Sequence, residues 1–412
     1  MMMRIVFPLI VFLLTARLAH AQRLPLTKFL SSARVDPSVT GFDDQLDWFD
    51  QKRYRLPLVN ELELRTQNNV MINGRQQYRA RLEFTSPWQI RENNSYFRQQ
   101  RDLKEIRRRS ALQEALRKRY LLAVRWLAAR ERLALLRDIE KLSVRRLEIL
   151  EGLAGSDRFN PDSYVESRSD LVTRMVDRQE AEAFLALLET EMAVLARSPG
   201  GAPESPGKVI LPETIAALSD TLSTRMDVTD WKAQIKAVEL AEQKQKLDRT
   251  RLSFGWVQGL YAPYRAGTEN HPTGFAVGVT IPVFQKNKDD VARSELNILE
   301  EKARLESGLL DRSVSQASRF AALRQQLRLY ENASGWLDSL DITGLGPAHL
   351  VMRNSDPMSD IRHRIQKNRL ELVRQEVKSR LLEQWIQLLD GLDLLAEEPW
   401  INFLSEDLKP LD

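Results

Sequence analysis

The chain has no cysteine, and histidine is scarce, with four copies in 412 residues. Without cysteine there are no disulfides, no thiol nucleophile, no cysteine metal ligands and no acylated N-terminal cysteine of the bacterial lipoprotein type. His271, His349 and His363 are the histidines beyond residue 22, and their spacing matches no metal site. The sequence also lacks a phosphate-binding glycine loop and a serine elbow. It therefore predicts neither a cofactor nor an enzyme.

Long apolar runs are missing as well. Beyond residue 22 no stretch reaches about 18 uncharged apolar residues, so the sequence predicts no transmembrane helix. Residues 1–22 carry Arg4, an apolar run over 5–14 and Ala19-His20-Ala21 before Gln22, which is the layout of a cleaved secretory signal. We therefore expect the mature protein to leave the cytoplasm.

Neither sign of charge dominates, although 29% of the residues are charged. The whole chain has 61 Lys and Arg against 57 Asp and Glu, and removal of Arg4 and Arg17 with the signal leaves 59 basic residues. The densest basic cluster, at 101–109, lies in a segment that interleaves acids. We therefore expect no nucleic-acid partner.

Four segments alternate apolar with polar or small residues at a period of two, which is typical of strands with two different faces. Strands of about 9 to 11 residues with one apolar face suit a transmembrane barrel whose outside meets lipid. The predicted lipid-facing residues are Leu62, Leu64, Leu82, Phe84, Phe254, Trp256, Phe275 and Val277. The predicted lumen-facing residues are Glu61, Glu63, Arg79, Arg81 and Glu83. A sheet with one face on a soluble core is the alternative, but four such strands beside highly polar helices favour the barrel.

Each strand pair is followed by a proline, Pro87 or Pro282, and then by a long charged helix, so the same unit occurs twice. A helix of about 65 residues would reach roughly 100 Å, far too long for an ordinary globular domain. Two strand pairs cannot close a barrel alone. We therefore expect an oligomer whose fold class is mainly α with β, with long helical hairpins and four strands per protomer.

The turns and linkers divide the chain into segments. The prediction is a signal peptide at 1–22, a first repeat at 23–198 (strand pair 56–85, helical hairpin 87–197), a linker at 199–212, a second repeat at 213–397 (strand pair 251–282, helical hairpin 283–395) and a C-terminal tail at 398–412. Asp162 or Ser163 is predicted to cap the returning helix of the first hairpin.

Three stretches resemble the TolC-like outer-membrane efflux proteins. Residues 226–256 resemble the helix that leads into an outer strand, 277–284 (VGVTIPVF) resemble the returning strand, and 383–392 (EQWIQLLDGL) resemble the end of the final helix. The resemblance covers most of residues 35–395. The helix before the first strand, at 40–55, is shorter than its counterpart at 227–251, and the turns at 155–161 and 341–355 lack a clean form of the family's tip motif.

The resemblance implies a homotrimer in which three protomers form a twelve-stranded transmembrane β-barrel and a periplasmic α-barrel. It implies that the protein lies in the outer membrane and contacts its lipid. It also implies that the protein is a passive duct for efflux or type I secretion, working with a periplasmic adaptor and an inner-membrane transporter. It also places Asp360, with Asp356 nearby, at a constricted periplasmic entrance. From the residues alone, Asp356 before Pro357 is an ordinary helix cap. A non-conducting periplasmic coiled-coil scaffold remains the alternative function.

Overall fold

The computed structural model describes residues 24–52, 56–69, 75–156, 159–197, 203–204, 208–223, 232–250, 253–261, 273–279, 288–339 and 357–411. The helices are α1 (Leu26–Ser31), α2 (Pro37–Lys52), α3 (Pro87–Gly152), α4 (Pro161–Ala196), α5 (Pro212–Ser223), α6 (Lys232–Thr250), α7 (Lys288–Ser339) and α8 (Pro357–Gly391), with a 3₁₀ turn at Ser32–Val35. The strands are β1 (Leu24–Pro25), β2 (Val59–Asn69), β3 (Arg75–Thr85), β4 (Pro203–Glu204), β5 (Ser253–Tyr261) and β6 (Thr273–Gly278). The fold is mainly helical, as expected.

The helix ends follow from local chemistry. Proline at the first position of α3 and of α4 is suited to a helix start, since its missing N–H has no partner there in any case. The cap of α4 is Asn160, whose side chain accepts hydrogen bonds from the backbone N–H groups of Asp162 and Ser163. The expectation that Asp162 or Ser163 supplies the cap is therefore wrong, because both residues already lie inside the first turn.

The two predicted strand pairs join into a single antiparallel sheet of four strands in the order β2-β3-β5-β6. β1 and β4 form a separate short parallel pair. The sheet leaves β2 and β6 as edges, whose outer backbone groups have no strand partner within the described part of the chain. None of the described helices combines the length and the apolar character needed to cross a membrane.

Contacts divide the chain into two compact units. We call residues 41–109 and 230–311 the sheet unit, and residues up to 40, 110–229 and 312–412 the core unit. Each unit draws on both halves of the sequence. Within the sheet unit polar contacts join the helices: Arg101 Nε lies 2.7 Å from the Asp50 carboxylate, and the Ser294 hydroxyl donates to Asp248 at 2.6 Å.

The C-terminal segment after α8 packs into the core unit. The hydroxyl of Tyr120, which is completely buried, donates to the Ile401 carbonyl at 2.7 Å and accepts from the Phe403 N–H at 3.4 Å. Leu404 and Leu411 are buried in the same core. The segment predicted as a tail is thus an integral part of this unit.

The C-terminal end of α8 is held by side chains from two other helices. Gln113 of α3 donates to the Asp390 backbone carbonyl at 2.6 Å and to the Asp393 carboxylate at 2.8 Å. Arg319 of α7 donates to the Gln387 carbonyl at 2.6 Å. These donors satisfy carbonyls that a helix end leaves without intrahelical partners. Hydrogen bonds therefore connect α3 and α7 to the C-terminal end of α8, and we call this contact the α8 junction.

Asp390 lies at the α8 junction, and its ionisation makes the stability of the protein depend on pH. Burial raises the pKa of Asp390, and the hydrogen bond from Gln113 and the charges of Arg117 and Arg319 offset this only in part. A carboxyl with a raised pKa binds its proton more tightly in the folded state, so its charge lowers stability as pH rises above the ordinary carboxyl range of about 4.

We expect Asp390→Asn to have a higher melting temperature than the wild type at pH 8, and the difference to shrink as the pH is lowered and Asp390 takes up its proton. Asp407→Asn is the matched control, because Lys409 donates a hydrogen bond that lowers the pKa of Asp407. That control should be no more stable than the wild type at pH 8. A lower melting temperature for Asp390→Asn at pH 8 would show that the ionised carboxylate stabilises the α8 junction.

Candidate functional site

The strand register sorts the predicted site residues onto two faces of the sheet. Directly paired residues share a face, and Glu61 pairs with Glu83, Glu63 with Arg81, and Arg65 with Arg79. We call this side the charged face. On the other side, the apolar face, Leu62 pairs with Leu82, and Phe275 of β6 lies in the row of Leu64. All five predicted lumen-facing residues thus share one face.

The apolar face of the sheet is exposed, whereas a soluble protein packs such a face on its core. On the apolar face Leu62, Leu64 and Phe275 are 59%, 72% and 75% exposed. On the charged face the side chains of Glu63 and Glu83 are 27% and 25% exposed, whereas that of Arg65 is 71% exposed. A contiguous exposed apolar surface marks contact with another apolar phase or molecule, and this surface covers all four strands.

Trp256 lies on the charged face, so the expectation that it shares a face with Leu82 is wrong. It pairs with Glu83 on one side and with Gly278 on the other. Its indole ring covers Gly278, where a Cβ atom would collide with the ring. The guanidinium of Arg81 lies 4.8 Å from the centre of that ring, a cation–π contact.

The place of Trp256 on the apolar face is taken by Val257, which pairs with Leu82 and Val277. Tyr261 also belongs to this face, where its ring lies 6.4 Å from that of Tyr78. The register between β3 and β5 shifts between the pairs Phe84–Gly255 and Thr85–Ser253, so Phe254 is an extra residue of a bulge. Only the backbone of Phe254 is described.

The sheet also carries aromatic rings at its apolar rim. Tyr78 and Tyr261 are 42% and 54% exposed and stand at the end of the strands that faces the β5–β6 connection. Exposed Tyr side chains at the border of an apolar band are typical of membrane–water interfaces, where a ring meets lipid and a hydroxyl meets water.

Asp360 occupies the first turn of α8 and is half-buried. Its neighbour Ile361 is buried against Ile139 of α3, so this turn packs on the last third of α3. Asp356 and the turn at 341–355 lie outside the described residues. His363 is described on α8, and no group of three His, Asp or Glu among the described residues is arranged to hold a metal ion.

Solved outer-membrane proteins share this fold. The MtrE outer membrane channel of Neisseria gonorrhoeae is 15% identical, with 93% of this chain and 90% of that chain covered at a TM-score of 0.63. The outer membrane protein VceC of Vibrio cholerae is 10% identical, with 89% and 96% covered at 0.62. The CmeC outer membrane channel of Campylobacter jejuni is 10% identical, with 93% and 86% covered at 0.58.

The chain has the fold of the TolC-like outer-membrane channels. The likeness spans nearly the full length of both partners, from the four-stranded sheet to the long helices. No protein-family model matches the sequence, and no curated protein does. At such low identity the chain and these channels share the pattern of strands and helices of the TolC-like fold, whereas most individual residues differ.

Proposed function

We propose that the protein is a passive homotrimeric outer-membrane channel for efflux or type I secretion. It works with a periplasmic adaptor and an inner-membrane transporter, which supplies the energy, and it performs no chemistry of its own. The observation that carries this proposal is the apolar face of the sheet, on which Leu62, Leu64, Phe275 and Val277 are 59% to 75% exposed. Lipid outside and water inside would satisfy both faces.

The open edges of the sheet support the trimer. A membrane-spanning sheet must close, because backbone groups at a lipid-exposed edge find no water to bond. Four strands per chain are too few, and the smallest membrane barrels have about eight. Three copies of this chain would provide twelve strands, with β2 of one copy beside β6 of the next.

Apolar rows on the helices also support an oligomer. On α4, Val165, Val172, Leu187 and Val194 are 65%, 57%, 54% and 70% exposed. Their spacings of 7, 15 and 7 residues are close to whole numbers of helical turns and keep these side chains on one side of the helix, which is the pattern that neighbouring helices bury. In the proposed trimer such rows would be covered by another copy of the chain.

The lipid-facing set is then the apolar face of the sheet, and the lumen is lined by the charged face. Residues 1–22 act as the export signal, and the two repeats each provide one strand pair and one helical hairpin. Asp360, in the first turn of α8, would line the periplasmic entrance in three copies. Asp360→Asn should then change how the conductance in a planar bilayer depends on the cation. An unchanged cation dependence would show that Asp360 does not line the entrance.

Cell fractionation tests the proposal against the scaffold alternative. The channel is expected to stay with outer membranes after osmotic shock, to require detergent for release, and to have the mass of three chains in mild detergent. The scaffold would be released by osmotic shock without detergent. A folded monomer in mild detergent would contradict the architecture, because its sheet edges would have no partner.

A further inference from the structure

The charged face of the sheet is divided by charge along the strands. The register creates three rows across the sheet, each two residues from the next. The acidic row is Glu61 and Glu83, the mixed row is Glu63 and Arg81, and the basic row is Arg65 and Arg79. Each row continues onto β5 and β6 through uncharged residues. The described charges therefore change from two negative to neutral to two positive along this face.

Chain direction gives this gradient an orientation. The acidic row lies close to Thr85, after which β3 leads into α3, so we call this the helix end of the sheet. The basic row lies toward Asn69 and Arg75, where β2 and β3 are connected, and we call this the loop end. At about 3.4 Å per residue, the acidic and basic rows are roughly 14 Å apart.

This order of charges is unfavourable for the sheet itself. Glu61 faces Glu83 directly, and Arg65 faces Arg79 directly. Like charges directly opposite on neighbouring strands are destabilising. Exchanging Glu61 with Arg65 would create two favourable pairs from the same residues. A sheet arranged for stability alone would therefore not place its charges in this order.

The ion pairs on this face weaken the gradient without removing it. Arg81 is paired with Glu83 at 2.9 Å, and Arg65 is paired with Glu63. Both pairs join the mixed row to an outer row. Among the described side chains Glu61 and Arg79 are left over at opposite ends, and Nε of Arg79 is buried without a hydrogen-bond partner.

We propose that the charged face is a bipolar lining that makes ion flow through the channel depend on the direction of the voltage. This inference rests on the proposed function, which places the face around a lumen. In three chains the two carboxylates of the acidic row become a ring of six, and the two guanidinium groups of the basic row become a second ring of six. Rings of one sign concentrate ions of the other sign in a pore.

The polarity follows from which ions enter first. When the helix end is positive, cations enter through the acidic ring and anions through the basic ring, so both accumulate in the lumen and the current is large. When the helix end is negative, each ion meets a ring of its own sign first, and the lumen is depleted. The effect requires weak screening, with a Debye length of about 30 Å at 0.01 M salt and about 3 Å at 1 M.

Current–voltage curves in planar bilayers test the lining, with the whole protein added from one side. At 10 mM KCl we expect the currents at opposite voltages to differ by about twofold, and at 1 M KCl to be equal, because screening removes the fields of the rings. Neutralising either ring, with Glu61→Gln and Glu83→Gln or with Arg65→Gln and Arg79→Gln, should reduce the ratio toward one. Each double variant removes a pair of facing like charges but also one ion pair, Arg81–Glu83 or Arg65–Glu63, so its trimer yield is compared with that of the wild type before its currents are recorded.

A charge exchange gives the sharper outcome. With Glu61→Arg, Glu83→Arg, Arg65→Glu and Arg79→Glu together, the direction of larger current should reverse. Arg125→Gln with Glu383→Gln is the matched control, because this ion pair lies outside the strands and its loss should leave the ratio unchanged.

The outcomes separate the two proposals. A channel whose currents are symmetric at 10 mM KCl, or whose asymmetry is the same in both neutralised variants as in the wild type, overturns the bipolar lining and leaves the channel function in place. A protein that gives no current and no trimer overturns both.

Discussion

Arginine in place of Val257 should reduce assembly by about 2 to 4 kcal/mol, whereas arginine in place of its neighbour Gln258 should have little effect. Val257 lies on the apolar face, in the row of Leu62, Leu82 and Val277. In the proposed trimer this mid-strand row would be close to the centre of the lipid. A guanidinium group there would lose its hydration without gaining a partner.

Gln258 is the matched control because it lies one residue away on the same strand and on the opposite face. It pairs with Arg81 and Ala276, so an arginine there would project into the proposed lumen and remain hydrated, and its repulsion from Arg81 would cost no more than about 1 kcal/mol. The measurement is the yield of trimer in outer membranes, together with its dissociation temperature in detergent. Equal losses for the two variants would show that neither face meets lipid, as the scaffold alternative requires.

These two variants also test the point at which reasoning from the sequence failed. In β5 the even positions hold Phe254, Trp256 and Leu260, whereas the odd positions hold Val257 and Tyr261. Both faces of this strand therefore contain large apolar residues, and alternation alone does not decide between them. The bulge at Phe254 and the pairing of Trp256 with Glu83 settle the register, and pairing between strands separated by about 170 residues is not encoded in a local pattern.

Elsewhere the local patterns were sufficient. The predicted ends of α3 and α4 agree with the structure to within one or two residues, because proline, asparagine and glycine act within a single turn. The alternation in β2 and β3 correctly brought Glu61, Glu63, Arg79, Arg81 and Glu83 onto one face. Their division into acidic, mixed and basic rows could not be predicted, since it requires the register of the pair and not only the period of each strand.

Burial from distant contacts was also beyond the sequence. Residues 398–411 have no helical or strand period and were predicted as a tail, yet Leu404 is completely buried because α3 and α8 surround it. Arg119 stands in a run of basic residues that is typical of a solvated helix face. Its partners outside α3 lie 76 to 87 residues away along the chain, and only folding brings them together.

Arg119→Ala should lower the free energy of unfolding of the core unit by about 1.5 to 3 kcal/mol, the range for losing hydrogen bonds to a charged group. The guanidinium of Arg119 is 1% exposed and donates to the Asp36 carboxylate and the Ser32 hydroxyl at 3.0 Å, and to the Leu195 carbonyl at 3.1 Å. It thereby joins the segment after α1 to α3 and to the end of α4. Without it, the Ser32 hydroxyl and the Leu195 carbonyl lose this donor, whereas Asp36 keeps its hydrogen bonds from Ser38.

The pH dependence of this variant distinguishes the ion pair from simple loss of packing. Burial raises the pKa of Asp36, but the hydrogen bonds from Ser38 and Arg119, with the charge of Arg119, outweigh it and leave the pKa lowered. A lowered carboxyl pKa stabilises the fold above its ordinary value of about 4 and loses that contribution as pH falls. The wild type should therefore lose more stability than Arg119→Ala between pH 7 and pH 3. Thermal unfolding followed by circular dichroism in detergent measures this difference. Arg125→Ala is the control, because the Arg125 side chain is 58% exposed and lies 3.3 Å from Glu383. Loss of this exposed ion pair should lower the free energy of unfolding by under about 1 kcal/mol. Equal melting temperatures for the two alanine variants would mean that Arg119 is not the link that fixes the N-terminal segment to the core unit.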